Sequence, residues 1–289
     1  MKHKGSPDID VVIPWFARPQ LEQSLRENAE TFARCVGTVI VVNGGGDPEE
    51  LAGILQRVHL SNVRTLTVPG SPFSKSRCIN AGVAASSARL IMLSDADIIF
   101  DLGFFSLARA ACRPGRYVTV KHLVELDPES HPQERASAQS PFESQRVMSW
   151  LTFRTGQRVL MEHWQGPEGR AAPGLILVRR ADFIKIGGAN SELHGWGFED
   201  HDIQIRLQAR GSLRRTSVGR ATHITHSVAD PETRTESDKR NRQACTRNYR
   251  EGNFLGTFPA DLQALEEAGV IDAGLRAKSA QAAVPEVRQ

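Results

Sequence analysis

RLIMLSDADIIF, residues Arg89 to Phe100, sets an apolar run of buried-strand length directly against two carboxylates, Asp95 and Asp97. Three earlier runs share that length and are rich in Val, Ile and Leu: IDVVIP (9 to 14), GTVIVV (37 to 42) and VRTLTV (63 to 68). Between the four, Pro19 to Ala33, Pro48 to Val58 and Ser76 to Ser87 have apolar residues at helical spacing. This alternation predicts an α/β fold, a mostly parallel central sheet flanked by helices. In such sheets ligands gather beyond the carboxyl ends of the strands, so function is sought in the loops after Ile13, Val42, Val68 and Leu93.

The totals agree with a folded domain. The chain has 289 residues, 40% hydrophobic and 24% charged, enough for a real core. Its net charge of +3 is too small for this length to mark a nucleic-acid partner. Arginines do cluster from Arg206 to Arg220 and from Arg234 to Arg250, either as a solvated basic face or as a surface for phosphates or an anionic bilayer. MKHK opens like a signal peptide, but Asp8, Asp10 and Pro14 interrupt the apolar run that should follow. No stretch approaches the ~18 apolar residues of a transmembrane span. Cys35, Cys78, Cys112 and Cys245 are far apart with no CxxC pair, which reads as reduced thiols of a cytosolic protein.

Further along, Asp127 to Ser144 is polar and rich in Pro, Ser and Gln, the mark of an insertion or mobile loop. A mixed segment with Trp150, Phe153 and Trp164 ends in the turn-rich QGPEGRAAPG. Leu175 to Val178 predicts another short strand, HGWGFEDHDIQIRL (194 to 207) opens a helix that Gly211 stops, and LRRTSV (213 to 218) returns as a strand. The expected organisation is one domain over 1–278. Residues 9–125 would form a first half, 126–172 an insertion, 173–258 a second half, and 259–278 a last helix. Residues 279–289 would be a flexible tail.

Several of these segments carry chemistry. Two carboxylates at i and i+2 beyond a strand can divide the grip on a ribose and on a divalent metal, although Asp is also common in strand-ending turns. In PGSPFSKSRCINAG, Lys75 and Arg77 stand near a helix start, where cations and free N–H groups favour phosphate, and Phe73 can lie against a base. VNGGGDP (42 to 48) lacks the GxGxxG spacing and is explained as a turn, with Asp47 as N-cap and Pro48 at the first helical position. ATHITHSVAD offers His223 and His226 just after a strand, two imidazoles able to complement one carboxylate around an ion.

In their order, IPWFAR, FSKSRCINAG, LSDAD, PGLILVRRADFIKIGG, HGWGFEDHDIQIRL and THITHS resemble the catalytic domain of β-1,4-galactosyltransferase-like enzymes. These are inverting glycosyltransferases of the GT-A fold, with bacterial polysaccharide and lipopolysaccharide transferases among the relatives. The resemblance spans about Ile9 to Thr257. It implies a UDP-sugar donor, a glycan or lipid-linked acceptor, and Mn²⁺ as cofactor, with Mg²⁺ as the alternative. It further implies that Asp97, His223 and His226 bind the metal and Asp95 the nucleoside. Pro14, Arg18, Asn43, Phe73, Lys75 and Arg77 would line the nucleotide pocket. Gly174 would let the sugar approach the strand, Gly195 and Trp196 would meet substrate, and Glu199 and Asp200 would be the acceptor-binding and base carboxylates. Their helix-mouth position also suits acids that merely complement a helix dipole.

The match departs at three places. Phe198 replaces a glycine of the related GWGGED pattern, His194 replaces an aromatic, and Phe16 stands where relatives can carry a basic residue. The expectation is a cytosolic enzyme, peripheral at the inner membrane face if the basic C-terminal region docks there, that transfers galactose or a related hexose such as N-acetylgalactosamine. The rivals are a sugar nucleotidylyltransferase, whose Gly-rich loop after the first strand is missing from IPWFARP, a His/His/Asp metallohydrolase and a glycan-binding module.

Overall fold

The computed structural model describes residues 8–272 apart from 71, 127–144, 166–171, 196 and 227–230. Thus the expected loop over 127–144, the expected tail over 279–289 and the MKHK start lie outside the described residues, as does Trp196.

The four apolar runs form β1 (Ile9–Trp15), β2 (Val39–Asn43), β3 (Val63–Thr67) and β4 (Leu90–Leu93). They pair in parallel in the order β3-β2-β1-β4, so their carboxyl ends share one edge. The sheet continues through β9 (Ile176–Arg179), antiparallel to β4. Beyond it lie β6 (Arg116–Leu126), β10 (Arg214–Ile224) and β5 (Ile98–Phe100). β10 runs parallel to β6. Because β9 is reversed, the residues that precede it emerge at the edge where β4 ends.

Alternation along the strands builds two core layers. Val11, Ile13, Val39 and Val41 face α1 (Gln20–Glu27), α2 (Ala29–Cys35), α3 (Pro48–Val58) and α5 (Phe104–Ala111). Val12, Ile40 and Val42 face α4 (Lys75–Ala85), α6 (Arg180–Lys185), α7 (Glu199–Ala209) and α9 (Phe258–Glu267). A third cluster joins α7, α8 (Pro231–Arg250) and a hairpin of β7 (Gln145–Thr152) and β8 (Arg158–Gln165), through Val159, Met161, Ile205, Cys245 and Tyr249. No helix among the described residues is long and apolar enough to cross a membrane.

Four local expectations are corrected. The helix expected over 19–33 breaks at Asn28, which is buried with its amide turned away to the sheet. Its Nδ2 donates to the carbonyls of Ser24 and Ile98, both at 2.8 Å, and its Oδ1 accepts from Phe100 N–H at 2.8 Å. Tertiary satisfaction of that amide outweighs helix continuity. The strand expected over 213–218 runs to Ile224, because β6 offers a ladder that long, so His223 lies within a strand. The pattern marks no strand between 98 and 126, where β5 and β6 lie; Lys121 and His122 interrupt the β6 apolar run. The expected insertion contains the β7–β8 hairpin among its described residues.

Candidate active site

The loops after β1, β2 and β3 meet at one groove. Trp15, buried at the end of β1, donates its indole N–H to the Arg18 carbonyl at 3.0 Å. That bond closes a turn through Ala17, whose φ is +46°, and sends the Arg18 guanidinium to His226. Pro14 is buried in β1, in register with Val42. Phe16 stacks on Phe73 with ring centroids 5.3 Å apart, so the position that can be basic in relatives forms an apolar wall here. Arg77 lies on the first turn of α4, where Ser74 Oγ caps its N–H at 3.3 Å. Asn43 does not face the groove. Its Oδ1 accepts from Gly45 and Gly46 N–H at 3.0 and 2.7 Å and its Nδ2 donates to the Gly46 carbonyl at 2.9 Å. Fully buried, it shapes the loop rather than contacting a ligand.

Lys75 occupies the junction between the two halves of the sheet. Its Nζ lies 2.6 Å from Asp95 Oδ1, 2.9 Å from Asp200 Oδ2 and 3.8 Å from Glu199 Oε1. Burial alone would lower its pKa, but Asp200, Asp95 and Glu199 together outweigh that and hold it well above the lysine value. The same burial raises the Asp95 carboxyl against the pull of Lys75. Asp200 rests on Gly174: a Cβ there would lie 2.7 Å from Asp200 Oδ2 and 2.9 Å from its Cγ. Gly174, expected to admit a sugar, makes room for the carboxylate of Asp200.

Asp97, His223 and His226 converge as well. One ligand atom from each lies within 4.8 Å of the others. Asp97 Oδ2 is 3.1 Å from His226 Nε2 and 3.5 Å from His223 Nε2. Asp97 Oδ1 is buried with no hydrogen-bond partner, the kind of atom a cation satisfies. One carboxylate oxygen and two imidazole nitrogens are a donor set suited to Mn²⁺ and tolerable to Mg²⁺ or Zn²⁺, so these residues fit a divalent ion. Glu125 joins them from β6, in register with His223, with Oε2 at 2.6 Å from His223 Nδ1 and 3.0 Å from Thr225 Oγ1. The motif pattern gives no sign of Glu125 or of the Trp15 anchor; recognising β6 as parallel to β10 would have brought Glu125 into view.

The three acids of HGWGFEDHD divide into two tasks. Glu199 and Asp200 face Lys75, whereas Asp202 is buried in the core and bonded to Arg206 Nε and Nη2 at 2.9 and 2.5 Å. Asp202 also accepts from the Tyr249 hydroxyl of α8 at 2.6 Å, and Arg206 donates to the carbonyls of Ile186 and Gly188. Phe198, before α7, has φ of +67°, a left-handed conformation in which glycine costs nothing and a phenyl residue on the order of 1 kcal/mol or more. Its ring is held between Arg242, 5.3 Å above, and His201. The preceding loop docks on α8: Asn241 donates to the carbonyls of His194 and Gly197, Arg240 donates to His194, and Gly195 lies against Ser237. Part of the basic C-terminal run is thus committed to this loop rather than forming a free solvated face.

Glu199 is 5% exposed, and its Oε2 has no hydrogen-bond partner. Burial, then the neighbouring Asp200, push its pKa from 4.5 to about 7. A raised acid pKa favours the fold fully below 4.5, and that contribution is lost as pH rises through about 7. Glu199→Gln, uncharged throughout, should therefore lose less melting temperature than the wild-type chain between pH 5 and pH 8. Parallel melting profiles for the two proteins would show that Glu199 is not the group responsible.

Residues 159–227 match a family model described as "N-terminal domain of galactosyltransferase". Human chondroitin sulfate N-acetylgalactosaminyltransferase 1 is 27% identical over 228 residues, which cover 75% of this chain and 40% of that protein. The chain thus spans about 40% of the length of that curated relative. Among solved structures, GalNAc-T7 with UDP, GalNAc and Mn²⁺ superposes with a TM-score of 0.54 at 12% identity, over 77% of this chain and 44% of that one. Glucosyl-3-phosphoglycerate synthase from Mycobacterium tuberculosis with phosphoglyceric acid superposes with a TM-score of 0.50 at 14% identity, over 94% and 83% of the two chains. The chain therefore has the GT-A fold, and the part of it that carries β8, β9, α7 and β10 is similar to the galactosyltransferase family model.

Proposed function

We propose that this protein is a metal-dependent, inverting glycosyltransferase that moves a hexose, galactose or N-acetylgalactosamine, from a UDP-sugar to a glycan or lipid-linked acceptor. The observation that carries the reading is the Lys75 ammonium, which ties Asp95 on the nucleotide side to Asp200 on the acceptor side within 3 Å of each. A junction of donor and acceptor carboxylates at one point is what a single displacement between two bound substrates requires. The choice among hexoses is supported by the names of the relatives, which are chondroitin sulfate N-acetylgalactosaminyltransferases.

Asp200 would take the proton from an acceptor hydroxyl while that oxygen forms its bond to the anomeric carbon. The bond from that carbon to the diphosphate oxygen breaks in the same step, and its electron pair leaves with UDP. Lys75 would offset the negative charge that grows on the leaving group. Glu199, largely protonated below its pKa of about 7, can donate a hydrogen bond to a second acceptor oxygen. Asp97, His223 and His226 would hold a divalent ion whose charge, when bound, further stabilises the diphosphate. One carboxylate acting on the face opposite the leaving group gives inversion. We further propose a cytosolic location, with exposed Arg247 and Arg250 of α8 as the residues available for a peripheral membrane contact.

The test is UDP release from a panel of UDP-sugars with Mn²⁺, in the presence and absence of candidate acceptors, with the product linkage read by NMR. Acceptor-dependent release with a β-linked product from an α-linked donor is the expected result. Release of free sugar without acceptor dependence would point to the metallohydrolase reading, and full activity in chelator would remove the metal.

A further inference from the structure

The two histidines of the metal centre are unequally prepared for a cation. Arg18 Nη1 lies 3.0 Å from His226 Nδ1. A guanidinium has donors only, so Nδ1 must supply the lone pair, and the ring proton then sits on Nε2, which donates to Asp97 at 3.1 Å. In that tautomer Nε2 has no lone pair for an ion. His223 is arranged the other way: its Nδ1 faces the Glu125 carboxylate, which accepts, so Nδ1 carries a proton and Nε2, 3.5 Å from Asp97 Oδ2, is the nitrogen left to meet an ion. The carboxylate–imidazole pairing that orients a metal-binding histidine is therefore already formed at His223.

We propose that Arg18 competes with the cation for His226 while Glu125 promotes its binding through His223, so that a nucleoside diphosphate, by drawing Arg18 to its own oxygens, opens the site to the metal. This rests on the metal-centre reading of Asp97, His223 and His226. Arg18 is suited to such an exchange. It is exposed, on a turn pinned by the Trp15 indole, and its fork of donors fits phosphate at least as well as it fits an imidazole. Metal and diphosphate then bind cooperatively through a side chain that belongs to neither, beyond any direct contact between the two ligands.

The experiment is a Mn²⁺ titration of the full chain followed by electron paramagnetic resonance, without UDP and with it. Arg18→Met should bind Mn²⁺ alone more tightly than the wild-type chain by about fivefold or more, and UDP should then add less, because part of the coupling, commonly about 5- to 150-fold, is already gone. Glu125→Gln should weaken Mn²⁺ binding by about 10- to 100-fold in both conditions. Both side chains are exposed or nearly half-exposed, so unchanged melting of the variants is expected. Long-range ¹H–¹⁵N spectra of the metal-free chain should place the ring proton on Nε2 of His226 and on Nδ1 of His223. Mn²⁺ binding by Arg18→Met that is no tighter than wild type, or a His226 proton on Nδ1, would overturn the proposal. Asp97→Asn separates the two levels: if it abolishes Mn²⁺ binding while Arg18→Met has no effect, only the competition fails, whereas an unchanged Asp97→Asn titration removes the metal centre itself.

Discussion

Asp200→Asn is expected to lower glycosyl transfer by ~10²–10⁴, the usual worth of a positioned general base, while leaving the fold and UDP affinity in place. The amide fills the same space over Gly174, where a Cβ would lie within 3.0 Å of the side-chain head, and Lys75 keeps Asp95 and Glu199 as partners. Loss of the Asp200 charge also removes the second-largest cause of the raised Glu199 pKa, so the Glu199 ionisation should move to lower pH in the variant. Single-turnover transfer at saturating donor, with a melting profile against pH, reads both effects. Near wild-type turnover would make Asp200 a counter-charge for Lys75 and return the base to another group.

The second large effect is on stability. Arg206→Met should destabilise the chain by about 3–5 kcal/mol, the cost of leaving one member of a buried pair without its partner. Both Arg206 and Asp202 are almost fully buried, and Asp202 would retain the Tyr249 hydroxyl and the Cys245 thiol but no opposite charge in contact. The Ile186 and Gly188 carbonyls would lose their donor too. Urea unfolding measures the loss. Pairing Arg206→Met with Asp202→Leu should recover a large part of it, since the uncompensated charge disappears. An unchanged midpoint for Arg206→Met alone would show that this pair contributes nothing net.

The first four strands and the loops beyond them were legible because a parallel sheet buried on both faces leaves near-continuous runs of Val, Ile and Leu. Asp95, Asp97, Phe73 and Lys75 sit on those loops, so the sequence order pointed to a shared edge. What periodicity could not reveal was pairing between distant segments. β6 and β10 are 11 residues each, yet His122 and Arg220 break their apolar pattern, and without their register Glu125 has no visible link to His223. Likewise nothing in HGWGFEDHD distinguishes the third acid from the first two; only the arrival of Arg206 one turn later and of Tyr249 from α8 makes Asp202 a core residue. At Asn43 it is the resemblance that departs from the structure: it implies a residue lining the nucleotide pocket, whereas the amide is spent within the turn that VNGGGDP itself predicts.

The Asp202–Arg206 pair also bears on how the substrate range of this domain can change. It fixes α7 to the Ile186–Gly188 turn and to α8 two residues beyond Asp200, so the helix mouth has almost no freedom to advance or tilt. Asp200 has only two side-chain torsions with which to adjust. Under the proposed mechanism an acceptor brings its hydroxyl to a stationary base, and any broadening of acceptor choice would come from the surroundings that steer it there. Those are His194, Gly195, Gly197 and Phe198, resting on Ser237, Asn241 and Arg242. Directed evolution toward new acceptors should accordingly collect its changes in that loop and on the facing side of α8, and should leave α7 nearly untouched.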